Sequence, residues 1–127
     1  MRGYAEHVQI EFDSEVWRWA ARTDSSWFFA SVPEELSAEM LDILHAQEFR
    51  NGIPARLPPA VRVAHKTGDI STVAHDAGVV YPPGRKPYVI AILTEWAPDA
   101  TRRSAAIAAA SRAVYELLAG GDGANDG

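Results

Sequence analysis

Lys66-Thr67-Gly68 sits inside "VAHKTGD" at 63–69. Lysine, a hydroxyl and glycine in a strand-like run raise one chemical question. Does this strand line the site of a serine acyl-transfer enzyme? Such chemistry needs a nucleophile with an activating base beside it. The chain has eight serines, at 14, 25, 26, 31, 37, 71, 104 and 111. None has a lysine three residues on, and neither lysine, Lys66 or Lys86, has a serine three residues before it. The Ser-x-x-Lys nucleophile is absent. So is Ser-Asp-Asn, since the asparagines are Asn51 and Asn125. Ser71 lies near Lys66, but its spacing fits no nucleophile elbow or cap. No catalytic residue is assigned.

His65 and His75 could suggest a metal pair. No acidic or histidine spacing completes a third ligand, so edge-strand or solvent-facing histidines are the plainer reading. His75-Asp76 admits an acid–base role, with a structural hydrogen bond as the simpler one. Cysteine is absent, which excludes disulfides, thiol catalysis and thiolate metal sites. No metal or cofactor is expected. Trp17, Trp19 and Trp27 could form a stacking surface, but aromatics on a hairpin more often pack.

The elements that position these residues follow from periodicity. Residues 7–19, "HVQIEFDSEVWRW", alternate apolar and polar and predict a strand. "ARTDSS" is a turn cluster, and "WFFASV" at 27–32 predicts the second arm of a hairpin. Pro33 opens a helix starting at 34 or 37, with Asn51-Gly52 as its stop signal. "IPARLPPA" at 53–60 is expected to be irregular because proline removes donors. "VRVAHKTG" predicts a strand, and a turn in "DISTVAHDAG" leads into "VVY". "YVIAILTEW" at 88–96 is apolar throughout, as in a central strand covered on both faces. A long helix follows, capped by Asp99 or Thr101. Its inner face is Ile107, Ala110, Ser111, Val114, Leu117 and Leu118, and it ends at Gly120-Gly121. Arg102 and Arg103 read as solvated helix-end charges. The tail 120–127 is expected to be disordered.

The order β-β-α-β-β-β-α predicts an α+β fold. The expectation is one mostly antiparallel five-stranded sheet, covered by the long C-terminal helix and the mid-chain helix. Length agrees, because 127 residues suit one domain. A net charge of −5 with no basic patch argues against nucleic acid. No run approaches a membrane span, so no membrane partner is expected. No leader is visible, so the default location is cytoplasmic.

From about residue 40 the chain resembles the C-terminal part of class A β-lactamases and related penicillin-recognising serine hydrolases. The resemblance rests on the order of a helix, "GIPARLP", "VAHKTG", "HDAGVVY", "YVIAILT" and a terminal helix. It implies that Lys66, Thr67 and Gly68 form the substrate-binding strand. Lysine would supply positive charge for a substrate carboxylate and threonine a hydroxyl to the same group. Glycine would let the substrate backbone approach. The backbone amide that helps form the oxyanion hole would lie near Ile70. The implied partner is a β-lactam or another carboxylate-bearing small molecule. That family is often exported, in tension with the absent leader.

Residues 6–39, with "EFDSEVWRWAARTDSSWFFASVPEELSAE" at 11–39, resemble the opening hairpin of a small bacterial β-barrel family of unknown function, DUF1905. The expectation is a composite domain over 1–119, with a hairpin segment at 6–39 and a β-lactamase-like segment at 40–119. The resembled lobe pairs two N-terminal strands with its last three. The hairpin could fill that place, with Val8, Ile10, Phe12, Phe28 and Ala30 covering the core. The functional expectation is a truncated or recombined relative that keeps the Lys-Thr-Gly strand and is not a competent enzyme alone. Two alternatives stand beside it. One is a small non-enzymatic binding module. The other is a chain that complements a partner supplying the nucleophile.

Overall fold

The computed structural model describes residues 11–19 and 27–121. Val8, Ile10 and the tail from 122 lie outside the described residues. The chain divides into two compact units, Met1–Glu39 and Met40–Gly127.

In the first unit, β1 (Val16–Trp19) and β2 (Trp27–Ala30) form an antiparallel pair. Register places Trp17 opposite Phe29, and their rings stack at 4.8 Å. Such cross-strand aromatic pairs are the stabilising unit of a two-stranded sheet. The Ser14 hydroxyl donates to the Ser31 carbonyl at 2.7 Å, tying the two strand ends. The first strand is much shorter than the predicted 7–19. Phe12 is described but lies outside it, and Phe28 and Ala30 are exposed rather than covering a core.

Helix α1 spans Glu34–His45. It starts at the first predicted position because the Pro33 carbonyl accepts the Ser37 N–H. Ser37 does not cap from inside; its hydroxyl bonds back to Pro33 at 3.0 Å. Glu34 and Glu35 complement the positive helix start. The helix stops before Asn51-Gly52. Ala46 N–H is shared between Asp42 and Ile43, and Gln47 N–H bonds Leu44, so the last turn tightens. The Gln47 side chain then accepts the Phe49 N–H at 3.2 Å.

"IPAR" is not irregular. It forms a 3₁₀ turn over Ile53–Arg56. Pro54 sits near its start, where a missing donor costs nothing. Then β3 (Arg62–Ile70), β4 (Val73–Tyr81) and β5 (Tyr88–Glu95) make an antiparallel sheet in the order β3-β4-β5. The described strands thus form sheets of two and three, not one of five. Alternation specifies that a strand will pair but not with whom, and β1 and β2 satisfy one another across seven intervening residues. The most apolar strand, β5, is also not central: it is an edge, and β4 is the middle strand.

Helix α2 (Arg103–Gly121) covers one face of this sheet. Ile53, Val61, Val63, Ala74, Val80 and Ile107 form the core, with Ile90, Ile92 and Tyr115 packed against it. The buried face of α2 is Ile107, Ala108 and Ser111, whereas Ala110, Leu117 and Leu118 are exposed. The predicted stripe was therefore rotated by part of a turn. Neither Asp99 nor Thr101 is the first carbonyl. Arg102 is, accepting from Ala106 at 3.1 Å with a left-handed φ of 64°.

Tyr88, at the head of β5, has its hydroxyl buried without a hydrogen-bond partner. Burial raises its pKa above the ordinary 10.0, Tyr115 adds to this, and Arg85 offsets part. Above about pH 10 the unfolded chain then loses this proton before the folded chain does, so folding stability falls as pH rises. Tyr88→Phe is expected to remove that alkaline loss and to cost nothing at pH 7, as read by urea midpoints from pH 7 to above 10.

Candidate functional site

The strand order brings chemistry to one end of the second unit. A cavity of about 690 Å³ is lined there by Lys66, Thr67, Gly68, Ile70, Asn51 and Ser104, among others. The predicted residues Lys66, Thr67, Gly68 and Ile70 are thus brought together at one opening. Lys66 is exposed, and its ammonium donates to the Thr67 carbonyl at 2.6 Å. No carboxylate among the described residues pairs with it. Gly68 and Ile70 are also exposed.

Beneath the strand lies a network that spacing did not reveal. The His65 Nδ1 faces Asp76 Oδ1 at 2.8 Å, with side chains 0% and 1% exposed. Asp76 Oδ2 accepts the Ile53 N–H at 2.8 Å. The Ser111 hydroxyl donates to the Ile53 carbonyl at 3.0 Å. One carboxylate therefore joins β3, β4 and the 3₁₀ turn, and Ser111 extends the link to α2. Since Asp76 accepts at both oxygens, Nδ1 carries the hydrogen toward it, and Nε2 is left buried without a partner. His65 lies on the edge strand β3, as read, but is not solvent-facing: its side chain is fully buried.

The signal for this pair was present but diagonal. Register sets Thr67 opposite Asp76 and His65 opposite Gly78. His65 and Asp76 therefore share a face two positions out of register, within reach of a long side chain. Gly78 makes room for it, since a Cβ there would lie 2.7 Å from His65 Cβ and 2.2 Å from the Ala64 carbonyl oxygen.

Two further contacts shape the opening. Arg103 is not a solvated end charge. It pairs with Asp69 at 2.8 Å and donates to the Ile70 and Ser71 carbonyls at 3.0 and 3.3 Å. It pins the β3–β4 turn to the start of α2. The Asn51 amide donates to the Ser104 hydroxyl at 3.1 Å, closing the other side. His75 lines the cavity, and its Nδ1 accepts the Thr94 N–H at 3.1 Å. No cluster of three His, Cys, Asp or Glu among the described residues could hold a metal ion. No described helix is long and apolar enough to cross a membrane.

Comparison with known proteins supplies the context. The family described as the beta-lactamase enzyme family matches residues 27–118. That span begins earlier than residue 40 and takes in β2. A beta-lactamase from Streptomyces fradiae is 40% identical over 89 residues, which is 67% of this chain and 28% of that protein. The structure of PBP-A is similar with a TM-score of 0.63 and 34% identity, over 67% of this chain and 32% of that one. A class A beta-lactamase from Mycobacterium abscessus gives a TM-score of 0.64 at 30% identity, over 69% and 35% of the two chains. The chain spans about a third of the length of these relatives, or less.

Proposed function

The chain belongs to the beta-lactamase enzyme family, and from that premise we propose that it binds a carboxylate-bearing, β-lactam-like molecule on Lys66-Thr67-Gly68 without acylation. The single observation behind this reading is the open cavity of about 690 Å³ lined by these three residues and Ile70. Lys66 would exchange its bond to the Thr67 carbonyl for a charge-assisted bond to the ligand carboxylate. The Thr67 hydroxyl would donate to the same group. Gly68 leaves the strand surface bare, so an extended ligand can lie against it. Ile70 would bound the end of the strand beside the ligand. Arg103 and Asn51 would hold the two sides of the opening in place.

Acyl transfer asks for more than this strand. A serine must sit beside a lysine or equivalent base, and Ser-x-x-Lys does not occur in these 127 residues. A PBP-A mutant is known as an acyl-enzyme complex with penicillin-G. Covalent capture of that kind is not expected here.

Amide proton–nitrogen NMR with and without excess benzylpenicillin tests the reading, alongside intact mass. Expected are shifts confined to Lys66–Ile70 and their neighbours, lost in Lys66→Ala, with no added mass. No shift would remove the binding proposal. An adduct would show that a nucleophile exists after all.

A further inference from the structure

The edge of β5 carries a second message. The Trp96 N–H donates to the Thr72 carbonyl at 2.7 Å. Bonding residues alternate along an antiparallel ladder, so the polar backbone groups of Tyr88, Ile90, Ile92 and Thr94 face β4. Those of Val89, Ala91, Leu93 and Glu95 face outward, where no strand pairs among the described residues. The same four side chains stand on the sheet face opposite the core, with Val89 79% and Leu93 70% exposed. Edge strands are usually blunted by lysine, proline or a bulge. From Tyr88 to Leu93 this one has none.

We propose that β5 pairs antiparallel with β5 of a second copy of this chain, about a two-fold axis through Ala91. The sequence is complementary to itself in that register. Ala91 meets Ala91 of the other copy at the axis, where the small side chain permits close approach. Val89 meets Leu93 twice, once on each side. At each end Glu95 meets Pro87 and lies next to Lys86, so opposite charges flank an apolar centre. The outward N–H and C=O groups of Val89, Ala91 and Leu93 are satisfied on both copies, Pro87 supplies Glu95 with a carbonyl alone, and two three-stranded sheets become one of six. A contact of this kind is isologous and closes, so it does not propagate into fibres. It is smaller than the roughly 800 Å² per partner of a standard interface, so association is weak and depends on concentration.

Sedimentation velocity from about 5 to about 500 µM reads this directly, since mass action governs the dimer. The expected result is a rise from one-chain to two-chain mass, lost in Leu93→Lys and in Ala91→Pro. Ala91→Pro deletes an N–H that bonds nothing within one chain, so far-UV circular dichroism is expected to be unchanged. Should proline perturb the strand, Leu93→Lys alone decides. A monomer at every concentration would overturn the proposal and leave the edge to a different chain. A dimer that survives Leu93→Lys would overturn it as well.

Discussion

Replacing Asp76 with alanine is expected to cost about 2–6 kcal/mol of folding free energy, the cost of stranding two buried donors. The reason is what remains behind. Asp76 is 1% exposed and accepts from His65 Nδ1 and from the Ile53 N–H, each at 2.8 Å. Alanine leaves two donors in the core with nothing to receive them, and each orphan costs roughly 1–3 kcal/mol. His65 would be the worse case, because its Nε2 already lacks a partner. Against a usual total stability of about 5–15 kcal/mol, the variant is marginal or unfolded at 37 °C. Asp76→Asn is expected to fall between, since its one carbonyl oxygen can serve one donor but not both. Urea unfolding checks both. A loss under about 1 kcal/mol in Asp76→Ala would mean that water or a repacked side chain serves these donors.

This pair also marks the boundary of what the sequence could disclose. Local order was legible because it depends on local chemistry. Pro33 before Glu34-Glu35 sets the start of α1, and "VRVAHKTG" and "YVIAILTEW" became β3 and β5 with ends shifted by a residue or two. Partnership was not legible. The apolar run of β5 suggested cover on both faces, but Tyr88, Ile90, Ile92 and Trp96 pack on the core, while Val89 and Leu93 face outward. Hydrophobicity records what a strand would gain from burial, not whether a layer arrives to bury it.

The candidate site divides in the same way. Lys66, Thr67, Gly68 and Ile70 are consecutive or nearly so, so one strand carries them to one opening. Asn51, Ser104 and Arg103 come from distant segments and carry no motif. Their roles depend on where α2 starts, and a left-handed Arg102 sets that start. An arginine there costs of order 1–3 kcal/mol in backbone strain, so no propensity rule would choose it.

Two glycines on the same hairpin are expected to respond oppositely to alanine, which separates folding from binding. At Gly78 an added Cβ would lie 2.2 Å from the Ala64 carbonyl oxygen and 2.8 Å from His65 Cα. Those are backbone atoms of the paired strand, so no rotamer relieves the overlap and β3 must move away from β4. Overpacking costs roughly 1–3 kcal/mol where side chains can yield. Here they cannot, and Gly78→Ala is expected at or above the top of that range, with the His65–Asp76 bond broken. At Gly68 the nearest atom is His75 Cβ at 3.9 Å, an ordinary contact. Gly68→Ala is expected to leave stability unchanged or to raise it by about 0.4–1 kcal/mol, through lost freedom of the unfolded chain. Its effect belongs to the ligand, because a methyl group now stands where an extended molecule would lie against the strand. The benzylpenicillin-induced amide shifts are expected to vanish in Gly68→Ala while its urea midpoint holds. If Gly68→Ala binds as well as the parent, the ligand does not run along β3, and Lys66 acts as an isolated surface cation. If instead Gly68→Ala unfolds, the glycine serves the hairpin itself, and the contrast with Gly78 disappears.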